Sequence, residues 1–178
     1  NSIRVHALKS ADLQGPNGRI NAIQVMPGKI ITDAVVAEVG TRGLHHLSVV
    51  ERHGHYMKPA NAYVFGFGEN FKGAIASSVG HDSHNLISVG ADTESMATAM
   101  NALRECGGGF AVAEGPVVKA ILALPVAGLM TTENADHVVT ALRSLREAAR
   151  LQGCQIQDPF LQLAFLSLPV IPKLKLTN

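Results

Sequence analysis

The first half of the chain alternates short apolar runs with breaks that contain Gly or Pro, a pattern typical of β-strands. Strands are predicted over residues 3–8, 20–26, 44–51, 63–67, 72–79 and 86–90. Residues 30–39 fit either a strand or a short helix, because Ile31, Val35 and Val39 recur at every fourth position. The runs at 74–79 and 86–90 are almost wholly small or β-branched, which predicts strands buried on both faces.

The second half carries the spacing of amphipathic helices. A helix is predicted with Asp92 or Thr93 as its N-cap and Gly107 as its left-handed stop. Its apolar positions follow i, i+3, i+4 and i+7, at Met96, Ala99, Met100 and Leu103. Residues 110–113 and 117–122 flank Glu114-Gly115-Pro116 and predict a β-hairpin.

Two further helices are predicted. The longer one starts from Thr132 as N-cap, has arginines in its C-terminal half and ends at Gly153. Its apolar stripe comprises Ala135, Val138, Val139, Leu142, Leu145 and Ala149. Asp158-Pro159 opens a last, mostly apolar and therefore buried helix through Leu166.

Strands first and helices interleaved later predict an α+β fold, a mixed β-sheet with two or three helices packed on it. A chain of 178 residues, 47% hydrophobic and 16% charged, suits one folded domain over residues 1–178. The chain starts at Asn1 and not at a Met, which indicates a piece of a longer protein.

Composition excludes several classes of partner. A net charge of +1 and an aromatic content of 4% argue against a nucleic-acid partner. The longest apolar stretch, residues 117–130, is interrupted by Lys119 and Pro125 and is too short to span a bilayer. Cys106 and Cys154 form no close pair and no leader precedes the first strand, so we expect a cytoplasmic protein without a membrane partner.

The most informative segment is His81-Asp82-Ser83-His84-Asn85, which lies between two core strands. A polar turn explains the Asp, Ser and Asn. It does not explain two histidines around an aspartate, and clustered titratable groups at strand ends indicate a functional site. A metal site is the alternative, since two imidazoles and a carboxylate can bind Zn, Fe or Mn. In an extended strand the two rings point to opposite sides, so only a bent loop could converge them.

A second histidine-rich run covers residues 44–55. Its Glu51-Arg52-His53 end, followed by Gly54, could present groups that bind an anion or a base. A solvated strand edge explains it equally well. His137 is isolated on the polar side of its helix and is predicted to be a surface group.

Several segments taken together resemble the C-terminal domain of bacterial adenine deaminase, within the amidohydrolase superfamily. The run at 81–85 is the most specific of them, and Val50-Glu51-Arg52-His53-Gly54 also matches. The other matching segments are residues 66–68, 73–79, 124–130, 158–160 and 168–177. Residues 55–62 depart from the resemblance, because the family usually has a glycine-rich stretch there.

The resemblance implies a parent enzyme of purine salvage that hydrolyses adenine to hypoxanthine and ammonia by metal-activated hydroxide. Its metal pair, Mn or Fe, would lie in a (β/α)₈ barrel. Such a barrel usually needs about 250 residues. It is therefore expected upstream of this chain, with no metal within the segment and no activity in the segment alone. The expected partners are the catalytic barrel of the same protein, adenine or a related purine, and further copies in a homo-oligomer.

Residue by residue, the resemblance gives the polar segments candidate roles in the parent active site. The candidates for catalysis are His81, Asp82 and His84. The candidates for substrate binding are Ser83, Asn85, Arg52 and His53. Asp82 is expected to accept an N–H from one histidine and leave the other ring nitrogen free. A face for the barrel is expected to be apolar and exposed at residues 65–67 and 124–130. The alternative function is a non-catalytic structural, oligomerisation or purine-binding module, whose polar loop satisfies its own backbone.

Overall fold

The computed structural model describes residues 2–55 and 58–178, and these build one mixed eight-stranded sheet. The strands are β1 Arg19–Val25, β2 Thr32–Glu38, β3 His45–Val50, β4 Ala60–Phe65, β5 Ala74–Ser77, β6 Leu86–Gly90, β7 Gly109–Glu114 and β8 Val117–Ala123. Their order across the sheet is β2-β1-β4-β3-β6-β5-β7-β8. Among these strands β1 and β4 pair in parallel and the other neighbours are antiparallel.

Helices cover both faces of this sheet. They are α1 Thr93–Cys106, α2 Ala135–Leu151 and α3 Pro159–Leu166, with a short 3-10 helix at Ser10–Leu13. The side chains of α1 and the 3-10 helix pack in one core, and those of α2 and α3 pack in a second core on the opposite face. Every residue of β5 and β6 is buried as a result. The predicted α+β fold with a mixed sheet is confirmed, and so are the strands buried on both faces.

The ends of α1 follow the sequence signals. The Oδ1 of Asp92 accepts a hydrogen bond of 2.7 Å from the backbone N–H of Ser95, so Asp92 is the N-cap and Thr93 is the first helical residue. Gly107 adopts φ 87° and ends the helix, as predicted. Met96 and Met100 are fully buried, and burial of such side chains stabilises the fold by about 1.5–3 kcal/mol each.

The predicted start of α2 at Thr132 is wrong. The N-cap is Asn134, whose Oδ1 accepts a 2.8 Å hydrogen bond from the backbone N–H of His137. Of the predicted stripe only Leu145 and Ala149 are buried, while Val139 is 44% exposed. The helix lies over β7 and β8, the last strands on one side of the sheet. Only a narrow face of the helix therefore packs against the core, narrower than the apolar stripe predicted from the sequence.

Residues 3–8 do not form the predicted strand. Their backbone is satisfied by other means: Arg4 donates its N–H to the Arg52 carbonyl at 2.8 Å. The Asn101 side chain of α1 bonds both the N–H and the carbonyl of Leu8, at 2.9 and 2.8 Å.

Residues 30–39, for which the sequence allowed a strand or a helix, contain strand β2. In the divergent 55–62 segment, Tyr56 and Met57 lie outside the described residues, and β4 begins at Ala60.

One buried histidine makes folding depend on pH. His45 is 3% exposed and packs edge-on against Phe71, with ring centroids 5.3 Å apart. Burial lowers the pKa of His45 from 6.5 to about 4. Between these values the unfolded chain is protonated at this site and the folded chain is not. Acidification through that window therefore removes stability, by about 1.4 kcal/mol per pH unit and roughly 3 kcal/mol in total.

We expect His45→Gln to flatten the pH dependence of the unfolding free energy by about one proton between about pH 6.5 and pH 4. Urea unfolding at several pH values in that range measures the slope for both chains. His137→Gln, at an exposed position on α2, is the matched control and should keep the wild-type slope. An unchanged slope in His45→Gln would show that this histidine does not titrate differently on folding.

Candidate functional site

Strand pairing brings three separate segments to one edge of the sheet, which here means the side where β3, β5 and β8 end and β6 and β7 begin. Val50 pairs with Leu86, so the end of β3 lies beside the start of β6. Phe110 pairs with both Ser77 and Leu122, which places the end of β5, the start of β7 and the end of β8 at the same edge. We call residues 51–55, 78–85 and 124–130 at this edge the polar edge. The sequence-predicted site residues all lie on its first two segments.

The 81–85 segment forms a bent turn, not an extended strand. The His84 N–H donates to the Gly80 carbonyl at 2.9 Å, and His84 itself adopts φ 50° in the left-handed region. This turn brings the imidazoles of His81 and His84 to a centroid distance of 6.3 Å. The two rings therefore converge, as only a bent loop allows.

Asp82 does not orient either histidine by a hydrogen bond. Its Oδ1 lies 4.0 Å from the His81 Nδ1, beyond hydrogen-bond distance, and its side chain is 82% exposed. The expected Asp82–histidine bond is therefore wrong. The His81 ring instead stacks on Phe165 of α3, with centroids 6.0 Å apart and planes 27° from parallel.

His84 is held by the backbone. The Gly80 N–H donates to its Nδ1 at 3.3 Å, so in the neutral ring the proton resides on Nε2. Burial lowers the pKa of His84, and the positive charge of Arg52 lowers it further. At neutral pH this side chain is an uncharged imidazole that presents an N–H at Nε2.

Arg52 is a buried cation with incomplete pairing. It is 5% exposed, and its Nη2 donates to the Ala127 carbonyl at 2.6 Å. Its Nε and Nη1 have no hydrogen-bond partner within the part of the chain that the structure describes. Among the described residues no ion pair joins Arg52 to neighbouring Glu51, whose carboxylate instead accepts the backbone N–H groups of His53 and His55. A buried guanidinium without a carboxylate is costly to the fold, which makes Arg52 a functional candidate.

His53 and Asn85 complete the predicted set. The Nε2 of His53 donates to the Ser83 carbonyl at 3.1 Å and joins the 51–55 and 78–85 segments. Asn85 is 8% exposed, and its Oδ1 has no partner among the described residues. It lines a recess of about 10 Å³, which is roughly the room that one water molecule needs. The other residues around this recess are Val49, His81, Ser83, His84, Ser167 and Thr177.

Sequence reasoning missed Ser78, which joins the 124–130 segment to the 78–85 segment. This fully buried hydroxyl donates to the Gly128 carbonyl at 2.6 Å and accepts from the Gly109 N–H at 2.7 Å. The signal was present, since Ser77-Ser78 places two hydroxyls at the end of a wholly apolar run. Buried hydroxyls need partners, and here the partners are backbone groups of distant segments.

The expected exposed apolar face is half wrong. Phe67 is fully buried in the core and Phe65 is half-buried, so residues 65–67 do not form the exposed apolar face expected there. In the 124–130 segment Val126 and Met130 are 41% and 57% exposed. Apolar side chains thus stand at the rim of the polar edge.

The residues that the structure describes include no group of three or more His, Cys, Asp or Glu side chains placed to hold a metal ion. They also include no helix long and apolar enough to cross a membrane. Residues 2–55 and 58–178 therefore do not fit the metal pair that the resemblance implies.

Fold and site together define an α+β domain whose sheet edge gathers four imidazoles, a buried guanidinium and a small recess. The chain belongs to the adenine deaminase C-terminal domain family, whose model matches residues 22–178. It is 46% identical to an adenine deaminase of Cereibacter sphaeroides over 99% of this chain, and 48% identical to that of another strain. It is 44% identical to an adenine deaminase of Brucella abortus over 100% of this chain. The chain spans about a third of the length of these relatives: 33% of the two Cereibacter proteins and 32% of the Brucella protein.

Proposed function

We propose that this chain is the C-terminal part of an adenine deaminase, a hydrolase that converts adenine to hypoxanthine and ammonia. The observation that carries this proposal is the match of practically the whole chain to one third of proteins named adenine deaminase. We propose further that residues 1–178 form one domain. The remaining two thirds would hold the catalytic barrel of the amidohydrolase superfamily, in a cytoplasmic homo-oligomer that serves purine salvage.

Within that protein, the polar edge would face the barrel and close its active site. His84 supports this role, because a neutral imidazole with a fixed tautomer offers an N–H donor at Nε2 that can bond the substrate or a water molecule. His81 and Asp82 stand beside it as candidate catalytic groups. The recess is too small for a purine, so the substrate would lie between the polar edge and the barrel. The groups that would contact it are Arg52, His53, Ser83 and Asn85.

The family implies a Mn or Fe pair, and this pair would belong to the barrel. The described residues of this chain bring no three ligands together, so no step of the reaction is assigned to a metal here. What this chain can supply is positive charge and hydrogen-bond donors.

A structural or oligomerisation module is the second candidate function. One observation favours it: several polar side chains of the edge bond local backbone, as a self-contained loop does. His53 bonds the Ser83 carbonyl, His84 accepts the Gly80 N–H, and Glu51 accepts two N–H groups of its own segment. The two functions predict different effects of mutation on turnover and on stability.

We expect the 178-residue chain alone to release no ammonia from adenine, with or without added Mn²⁺, because it lacks a barrel and a full ligand set. The full-length protein should release it. An ammonia-release assay on both proteins, with metal analysis of each, tests this. Manganese-dependent turnover by the isolated chain would overturn the division of roles. An inactive full-length protein, folded and loaded with metal, would overturn the proposed function.

A further inference from the structure

The third segment of the polar edge, residues 124–130, contains a tight turn. The N–H of Leu129 donates to the Val126 carbonyl at 3.1 Å and closes this turn. Ala127 and Gly128 at its centre have φ of 58° and 71°, both in the left-handed region. Alanine adopts this conformation rarely, and such strain persists where the surrounding structure holds it. The turn therefore depends on groups outside it.

Two buried side chains hold this turn through consecutive carbonyl groups. The Nη2 of Arg52 donates to the Ala127 carbonyl at 2.6 Å. The hydroxyl of Ser78 donates to the Gly128 carbonyl, also at 2.6 Å, and accepts the Gly109 N–H at 2.7 Å. Peptide groups are rigid planes, so a shift of one carbonyl moves its neighbour as well. The bond from Ser78 thus helps to fix the atom to which Arg52 is bonded.

The absence of a side chain at Gly128 also sets where the guanidinium lies. A Cβ at this position would lie 2.5 Å from the Nη1 of Arg52, much closer than non-bonded atoms approach. The Nε and Nη1 of Arg52 have no hydrogen-bond partner among residues 2–55 and 58–178. Within those residues, the guanidinium is therefore held by one hydrogen bond and by close packing against Gly128.

The place of this charge matters to the candidate site. Burial lowers the pKa of His84, and the positive charge of Arg52 lowers it further. The other titratable groups that act on this ring are His81, Asp82 and His53. Coulomb interactions weaken with distance, so a displaced guanidinium changes the field at the His84 ring.

We propose that Ser78 and Gly128 are positioning residues, which hold the Arg52 guanidinium where its charge acts on His84. Ser78 acts through the Gly128 carbonyl and the adjoining peptide group. Gly128 acts by leaving room for the Nη1. The expected effect on turnover rests on the proposed deaminase function, whereas the effect on the guanidinium itself does not.

Gly128→Ala is the direct test, because the added Cβ has to displace the Nη1 of Arg52. The turnover of adenine by the full-length protein should fall about tenfold or more, the scale of a misplaced group in a site. Gly28→Ala is the matched control, because Gly28 has the same φ of 71° and nothing within 4 Å of an added Cβ. It carries the same backbone strain and should keep the wild-type turnover. Equal losses in the two variants would contradict the proposal.

A double-mutant cycle separates positioning from a general effect on the fold. In an Arg52→Met background, Gly128→Ala should lower turnover no further, because the guanidinium that it displaces is gone. A purely structural role of Gly128 predicts the same additional loss with and without Arg52. That result would overturn the proposal.

The guanidinium can also report its own position. ¹⁵N NMR can be applied to the 178-residue chain, which builds its own two cores. The Arg52 Nε–H resonance should shift in Gly128→Ala and in Ser78→Ala but not in Gly28→Ala. Ser78→Ala removes the bond to the Gly128 carbonyl without adding an atom, so it serves if Gly128→Ala does not fold.

An unmoved resonance in the folded variants would mean that neither residue positions Arg52. A full-length protein that is inactive on adenine, together with shifted resonances, would remove the proposed function and leave the positioning of Arg52 in place.

Discussion

Replacing His84 by asparagine in the full-length protein is expected to lower the turnover of adenine by roughly 100-fold, the scale of misplacing a substrate that the imidazole N–H positions. Asparagine tolerates the left-handed φ of 50° at this position, so the backbone turn should survive. The melting temperature should therefore change little. Steady-state ammonia release and thermal unfolding of the same preparation measure both effects.

The matched control for this variant is His137→Asn on the exposed face of α2, which should alter neither quantity. His81→Ala should act in the same direction as His84→Asn, because its ring lies 6.3 Å from that of His84. If the edge is only a structural module, the pattern reverses. A destabilised His84→Asn enzyme with full turnover would exclude the catalytic role.

Arg52→Met should raise stability and lower activity at the same time. The methionine fills a similar volume and removes a buried cation that has two unpartnered nitrogens. Comparable replacements of buried charges are neutral or stabilising by about 1–4 kcal/mol. Turnover should fall about tenfold or more. Because the charge of Arg52 lowers the pKa of His84, its loss should shift the acid limb of the pH–rate profile to higher pH.

Chemical unfolding and a pH–rate profile of the full-length protein check the two parts of this prediction. Arg42→Met is the control, since Arg42 is an exposed partner of Glu69 at 3.3 Å and such pairs contribute little. A positioning role for Arg52 requires the shifted acid limb. Lower stability with an unmoved limb would mean that Arg52 serves only the packing of residues 124–130.

The sequence predicts the fold correctly where the local pattern of apolar residues agrees with the burial of their side chains. β5 and β6 are short apolar runs bounded by polar segments, and α1 has a cap, a stripe and a stop that all point to one helix. Residues 3–8 looked like a strand because apolar positions alternate there. Leu8 bonds the side chain of Asn101, 93 positions away, and Arg4 bonds the Arg52 carbonyl, and no local pattern contains that information.

The sequence predicts which residues belong to the candidate site, but it does not predict how they are arranged in space. The sequence identifies the runs around Arg52 and His84 by their unusual polar content. Their proximity depends on the antiparallel pairing of β3 with β6, which is a property of topology. The turn of Glu51 toward its own backbone, which leaves Arg52 without a carboxylate, is set by side-chain packing and has no sequence signature.

The parallel junction between β1 and β4 has a consequence for the order in which the sheet comes apart. It consists of two residue pairs, Ile23 with Val64 and Gln24 with Phe65, whereas β1 and β2 pair along their whole length. The outer edge of the β1–β2 hairpin is tied to the last segment of the chain, where the Thr32 N–H bonds the Pro172 carbonyl. Hairpin and C-terminal segment are therefore held to the six strands that carry the polar edge mainly by side-chain packing, through Ile23, Val25, Leu174 and Leu176 of the core. Separating them from the six strands would expose that core and not only break backbone bonds.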